Sequence, residues 1–233
     1  MRTRNTARTV GVVLAFCLGV SACGGGESEE EPLFVDAGKL CDSVFSGDAV
    51  AAVETTVGDT SFWRNGEGAL DRVVAKLKSF YADGQDVYGA EEFCRIKGEK
   101  RGSGRLNISF ALYKPDDVVD RGHSASQRFY ELGKLAVAGS EQSTLYFECV
   151  SPQLDGSDKD PARISGGMRF SDRKVAETQA LREDNLTVLH AASFALAKKL
   201  ECENNGGLPQ TVVLQPKPEP EPGSESEAAA KPE

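Results

Sequence analysis

At 233 residues, 39% of them hydrophobic, the chain is long enough to bury the core of one domain, and its formal net charge of −9 argues against nucleic acid as a partner. Only two histidines occur, with no Cys/His or His/carboxylate cluster at ligand spacing, so nothing points to a metal or another cofactor.

The first residues carry Arg2, Arg4 and Arg8 and no acid, and an apolar segment runs from Val10 to Val20. That is the layout of a secretory signal. As a helix the segment spans roughly 16 Å, about half of a bilayer's hydrocarbon core, so it reads as a cleaved signal and not as a permanent span. The residues "VSAC", Val20 to Cys23, resemble the bacterial lipobox. The resemblance implies that residues 1–22 are removed and that Cys23 becomes the first residue, diacylated on sulfur. An ordinary signal cleaved at a similar site would instead leave Cys23 a free thiol. Two or three acyl chains hold a protein stably where one holds it marginally.

Residues 23–32 then form an acidic tether, "CGGGESEEEP", with an r.m.s. reach of roughly 17 Å. Loss of the three signal arginines takes the net charge from −9 to −12. Residues 208–233 are rich in proline, glutamate, serine and alanine and read as a disordered tail. The excess of acid sits in these two segments, and the region 33–207, the expected globular domain, is left near −5.

Within the domain, "KLCDSVFSG" predicts a short helix carrying Cys41, and a second helix is expected from Ser46 or Asp48 to Gly58. In "GALDRVVAKLKSFYADGQ" Leu70, Val73, Val74, Leu77 and Tyr81 recur at helical spacing. "EEFCRIKGE" and "RLNISFALY" flank the turn "KRGSG" as a hairpin, with Leu106, Ile108, Phe110 and Leu112 alternating against polar or small residues. "RFYELGKLAVAG" and "STLYFECVSP" predict further strands, and "PARISGGMRF" a weaker one. The last element is a helix in "EDNLTVLHAASFALAKKLECENNGG", capped by Asp184 or Asn185, with Cys202 in its last turn.

Helices first, strands in the middle and a closing helix predict an α+β fold, with helices packed on one face of an antiparallel sheet. Four cysteines remain for the domain, and in an exported chain they read as two disulfides with three possible connectivities. Pairing Cys41 with Cys94 and Cys149 with Cys202 joins a predicted helix to a strand each time and closes two loops of similar length.

Candidate chemistry is sparse. His190 falls mid-helix, as a packing position. His123 in "RGHSASQ" neighbours Ser124 and Ser126 without a G-x-S-x-G elbow, and "SDRK", Ser171 to Lys174, matches S-x-x-K without a companion K-T-G. "LDGSDKDP" gathers Asp155, Asp158 and Asp160 but lacks EF-hand spacing. Phe62 and Trp63 in "TSFWRN" read as packing aromatics, with ligand stacking the sharper alternative.

The lipobox, acidic tether and paired cysteines resemble the layout of uncharacterised lipoproteins of high-GC Gram-positive bacteria. The resemblance implies a place on the extracytoplasmic face of the cell membrane and no particular activity. The expectation is therefore a non-catalytic binding or interaction domain. It is anchored to membrane lipid through acylated Cys23, and it engages an envelope protein, a wall polymer or a small ligand. The competing expectations are a wall-modifying or ester hydrolase with Ser124 or Ser171 as nucleophile, and a chiefly structural envelope component.

Overall fold

The computed structural model describes residues 32–84, 89–118 and 127–217. The signal, most of the tether with Cys23, and His123 with Ser124 lie outside these residues, as does the tail from residue 218.

The chain enters through β1 (Phe34–Val35), which pairs antiparallel with β2 (Phe62–Trp63). Between them lies α1 (Asp48–Val57), ended by Gly58 at φ 75°, a left-handed cap that glycine adopts without the Cβ penalty. After β2 come α2 (Ala69–Ala82) and the hairpin of β3 (Ala90–Lys97) and β4 (Arg105–Leu112). The remaining strands are β5 (Arg128–Tyr130), β6 (Leu135–Ala138), β7 (Gln142–Cys149) and β8 (Ala162–Ser171), followed by α3 (Gln179–Lys199). The six strands from β3 onward form one antiparallel sheet in the order β3-β4-β8-β7-β6-β5. The fold is α+β, as expected. Helix α2 lies on β3 and β4, α3 lies on β6, β7 and β8, and α1 packs against α3.

Period-two alternation sorts the central strands. Leu106, Ile108, Phe110 and Leu112 of β4 are buried against the helices, with Leu145, Phe147 and Cys149 of β7 and Ile164, Met168 and Phe170 of β8. Helix α2 contributes Val73, Val74, Leu77 and Phe80, and α3 contributes Leu186, Leu189 and Leu196. At about 1.5–3 kcal/mol for each large apolar side chain removed from water, this face carries most of the driving force for folding.

Both disulfides form in the expected pairing, Cys41–Cys94 and Cys149–Cys202, with Cα–Cα distances of 5.7 and 5.0 Å and a sequence separation of 53 each. Neither partner outside the sheet is helical, however. Cys41, Asp42 and Ser43 form a tight turn at φ 52°, 59° and 57°, not the short helix predicted. The turn aims Asp42 at α2, where its two carboxylate oxygens accept the Gly68 and Leu70 amides at 2.7 Å each and satisfy donors left open by the first helical turn. Cys202 lies just beyond α3, because the helix stops at Lys199 and Glu201 turns left-handed at φ 57°.

Two further expectations change. Helix α3 begins at Gln179, where Thr178 Oγ1 accepts the Leu181 amide at 3.1 Å, and not at Asp184 or Asn185. Asn185 is buried instead, donating to the Gly139 carbonyl at 2.9 Å and accepting from Thr56 at 3.3 Å, so that it ties α3 to α1 and to the end of β6. The segment read as a weak strand is β8, ten residues long and between β4 and β7. Its signal is diluted by Gly166 and Gly167, which have no side chain to mark a face.

Residues 208–217, whose composition matches the tail, follow the domain surface. Leu208 is buried, the Glu131 amide donates to the Gln215 carbonyl at 3.0 Å, and the Lys217 amide donates to the Phe129 carbonyl at 2.8 Å. They pair along β5, the end strand of the sheet, whose open edge would otherwise present unpaired backbone groups.

Candidate binding face

The side chains that alternate with the core residues form the second face of the sheet, and the register assembles them into rows. One row runs Arg95, Asn107, Arg169 and Gln142 across β3, β4, β8 and β7. The next holds Glu92, Ser109, Gly167 and Thr144, and the third holds Ala90, Ala111, Ser165 and Tyr146. A solvated sheet face ordinarily carries long polar or β-branched side chains. Here the middle of β4 and β8 carries serine, alanine and glycine, so the surface sinks into a trough of about 490 Å³ lined by Asn107, Ser109, Ala111, Thr144, Ser165 and Gly167. The Ser165 hydroxyl sits 3.4 Å from the Ala111 carbonyl at its floor.

The two ends of the trough differ in chemistry. At one end Arg95, Arg105, Arg169 and Lys97 gather on neighbouring strands. Glu92 accepts from Arg95 at 2.6 Å and from Asn107 at 2.8 Å. Burial works to raise the pKa of Glu92, but the two hydrogen bonds and the arginine charges outweigh it and hold the carboxyl below its ordinary value. Arg105 pairs with Asp172 at 3.1 Å, whereas Arg169 is exposed and forms no ion pair among the described residues. The opposite end is aromatic. Tyr113 and Tyr146 meet edge to face with ring centroids 5.0 Å apart, beside Leu135 and Val137 of β6, which are buried outside the main core. The Tyr113 hydroxyl is buried without a hydrogen-bond partner among the described residues, and burial first, then the charge of Glu148, drives its pKa up.

Next to the basic end stands the β1–β2 ribbon. Trp63 packs on Phe34 with ring centroids 4.6 Å apart, and the Lys97 ammonium lies 5.9 Å from the indole centroid. Asp59 locks this ribbon to the β3–β4 turn: its carboxylate accepts the Thr60 amide at 2.8 Å and the Lys100 amide at 2.7 Å, and meets the Lys100 ammonium at 3.1 Å. Burial alone would raise the Asp59 pKa, but these donors and the Ser61 amide prevail and lower it to about 2.

The other residues singled out from the sequence lie elsewhere. His190 is buried on α3, its Nε2 2.9 Å from the Pro209 carbonyl and its ring stacked on Phe194 at 5.9 Å, so that it fastens the C-terminal segment. Burial pushes its pKa down against the opposing effect of that bond. Ser171 and Lys174 are exposed past the end of the trough, with no hydrogen bond between them. In the aspartate loop Asp160 pairs with Arg163 at 2.7 Å, and among the described residues no group of three or more histidines, cysteines or acids is placed to hold a metal ion. Phe62 is buried in the core, and Trp63, exposed on the ribbon, packs on Phe34.

No protein-family model matches the chain, and no curated protein or solved structure is significantly similar to it.

Proposed function

We propose that the chain is an envelope lipoprotein, held on the extracytoplasmic face of the cell membrane by acylated Cys23, whose domain binds a polar, negatively charged partner along the open face of its sheet. The observation that carries this reading is the trough itself: serine, alanine and glycine occupy the middle rows of β4 and β8, beside Thr144 of β7, on a face where a Cβ at Gly167 would meet nothing closer than 3.8 Å. Hydroxyls and an amide on the floor suit a hydroxyl- or amide-bearing chain, and Arg169 with its neighbours at one end suits carboxylate or phosphate groups. A wall polymer or an extended protein segment of the envelope has that chemistry. No helix among the described residues is long and apolar enough to cross a membrane, and the lipobox supplies the attachment instead.

The binding face is tested by placing a photo-crosslinking side chain at Ser109 or Thr144 in cells and comparing it with one at Ser79, on the exposed side of α2. The expected result is an adduct from the two trough positions only. Equal adducts from all three, or none, overturn the proposal. For the anchor, Cys23→Ser is expected to release the protein from the membrane fraction and abolish its acyl mass; retention with acyl mass at another residue overturns that part.

A further inference from the structure

We propose that the β1–β2 ribbon is a membrane-docking foot, which seats the domain on anionic lipid headgroups beside its own anchor. The inference rests on the acylation of Cys23. Leu33, Trp63 and Val213 are the large hydrophobic residues left exposed among the described residues, Leu33 by 69% and Trp63 by 42%. Two of these three meet at one place, although 30 positions separate them, because the Arg64 amide bonds the Leu33 carbonyl at 2.9 Å and Phe34 pairs with Trp63. Phe34, half-buried, completes the apolar surface.

The composition of this corner suits a bilayer surface. Tryptophan belongs at the headgroup level, where its ring is apolar and its N–H stays wet. Lys97 lies over the indole, and Arg95 and Arg105 follow on the same face of the sheet. On a mature chain of net charge −12, Lys97, with Arg95 and Arg105 paired to Glu92 and Asp172, makes this corner locally basic, which suits the negative charge of anionic headgroups.

Length of chain then fixes the neighbourhood. Nine residues lie between Cys23 and Leu33, and fully extended this stretch reaches at most about 35 Å. Counted from Leu33, the ribbon begins two residues after the tether's last glutamate, so it is the part of the domain nearest the anchor along the chain. The tether's Glu27, Glu29, Glu30 and Glu31 resist lying on anionic headgroups themselves, and the first hydrophobic residue after them is Leu33. Docking through Trp63 and Lys97 also sets the basic end of the trough toward the membrane, within reach of a partner attached there.

Trp63 is the chain's single tryptophan, so its fluorescence reports this corner alone. The acylated mature protein, residues 23–233, is reconstituted into phosphatidylglycerol–phosphatidylcholine vesicles with brominated acyl chains, and flotation and intact mass are read on the same sample. Docking at the headgroup level is expected to quench Trp63 at least about twofold relative to unbrominated vesicles. Leu33→Glu and Lys97→Glu are each expected to abolish the quenching while the protein still floats with both disulfides intact. Unquenched wild-type protein that floats with acylated Cys23 overturns the docking and leaves the anchor standing. Protein that neither floats nor carries acyl mass overturns the anchor, and the docking with it. Trp63 shielded from aqueous iodide but not quenched by bromine means that a second copy or another protein covers the corner, which also overturns docking on lipid.

Discussion

The same strands build two surfaces that obey different rules. On β4, Leu106, Ile108, Phe110 and Leu112 are buried against the helices, while Asn107, Ser109 and Ala111, one residue out of step, line the trough. Both disulfides anchor on the covered side through Cys94 and Cys149. Stability is thus concentrated on one face, and the other is free to be shaped by what it touches. The adjacent glycines of β8 make the contrast sharpest. A Cβ at Gly166 would lie 2.9 Å from both the Phe110 ring and the Ser193 hydroxyl, whereas a Cβ at Gly167 would meet nothing closer than 3.8 Å. Packing requires the first glycine, and no packing contact requires the second.

Breaking the covered face has the largest expected effect. Each disulfide closes a loop of 53 residues. In the chain-entropy model such a loop is worth roughly 4 kcal/mol, so replacing all four cysteines by serine is expected to leave the domain unfolded or nearly so. Thermal unfolding read by circular dichroism checks it, and a reduced domain that melts within a few degrees of the oxidised one would contradict the account. Next in size, Phe110→Ala is expected to cost about 3–5 kcal/mol in urea unfolding, against no more than about 0.5 kcal/mol for Ser109→Ala beside it on the other face.

How much of this the sequence made legible follows from the same contrast. The covered face was readable because burial imposes a period on side chains: the β3–β4 hairpin, helix α2 and the α+β class follow from alternation, and the end of α1 from Gly58, although Gly47 precedes α1 and neither Ser46 nor Asp48 caps it. Both cysteine pairings followed from element placement, although the conformation at Cys41 did not, since three consecutive left-handed residues need tertiary support that composition does not announce. The open face was illegible for the complementary reason. Serine, alanine and glycine at alternate positions look like a weak strand, and only the register across β4, β8 and β7 turns them into a trough. Asp59 could have been noticed, since "GDTS" carries an aspartate able to bond amides one and two residues ahead. Its partner Lys100 lies 41 positions away and has no local signature.

Asp59 supplies a prediction of intermediate size, specific to the ribbon. Its folded pKa of about 2 lies below the ordinary aspartate value, so the stability it contributes is complete above about pH 4 and is lost as the pH falls through 2. Asp59→Asn is expected to lower stability at neutral pH and to flatten the acid limb of the stability profile between pH 4 and 2. An unchanged acid limb would show that the carboxylate does not lock the ribbon.

The smallest energetic effect tests the comparison most closely, because it turns on two neighbouring residues and predicts opposite signs. Gly166→Ala forces a methyl group against Phe110, Ser193 and Leu189 in a filled core, and overpacking of this kind costs about 1–3 kcal/mol. Gly167→Ala places the same methyl group in open space on an extended backbone, where it restricts the unfolded chain and meets only ordinary contacts. The expected change is a stabilisation of about 0.4–1 kcal/mol. On the proposed function, glycine is kept there for the shape of the trough. Gly167→Leu separates the two demands: it is expected to fold, to keep a urea midpoint near wild type, and to lose the photo-adduct from Thr144 across the strand. If Gly167→Leu keeps that adduct at full yield, the trough is not where the partner lies, however well the covered face behaves.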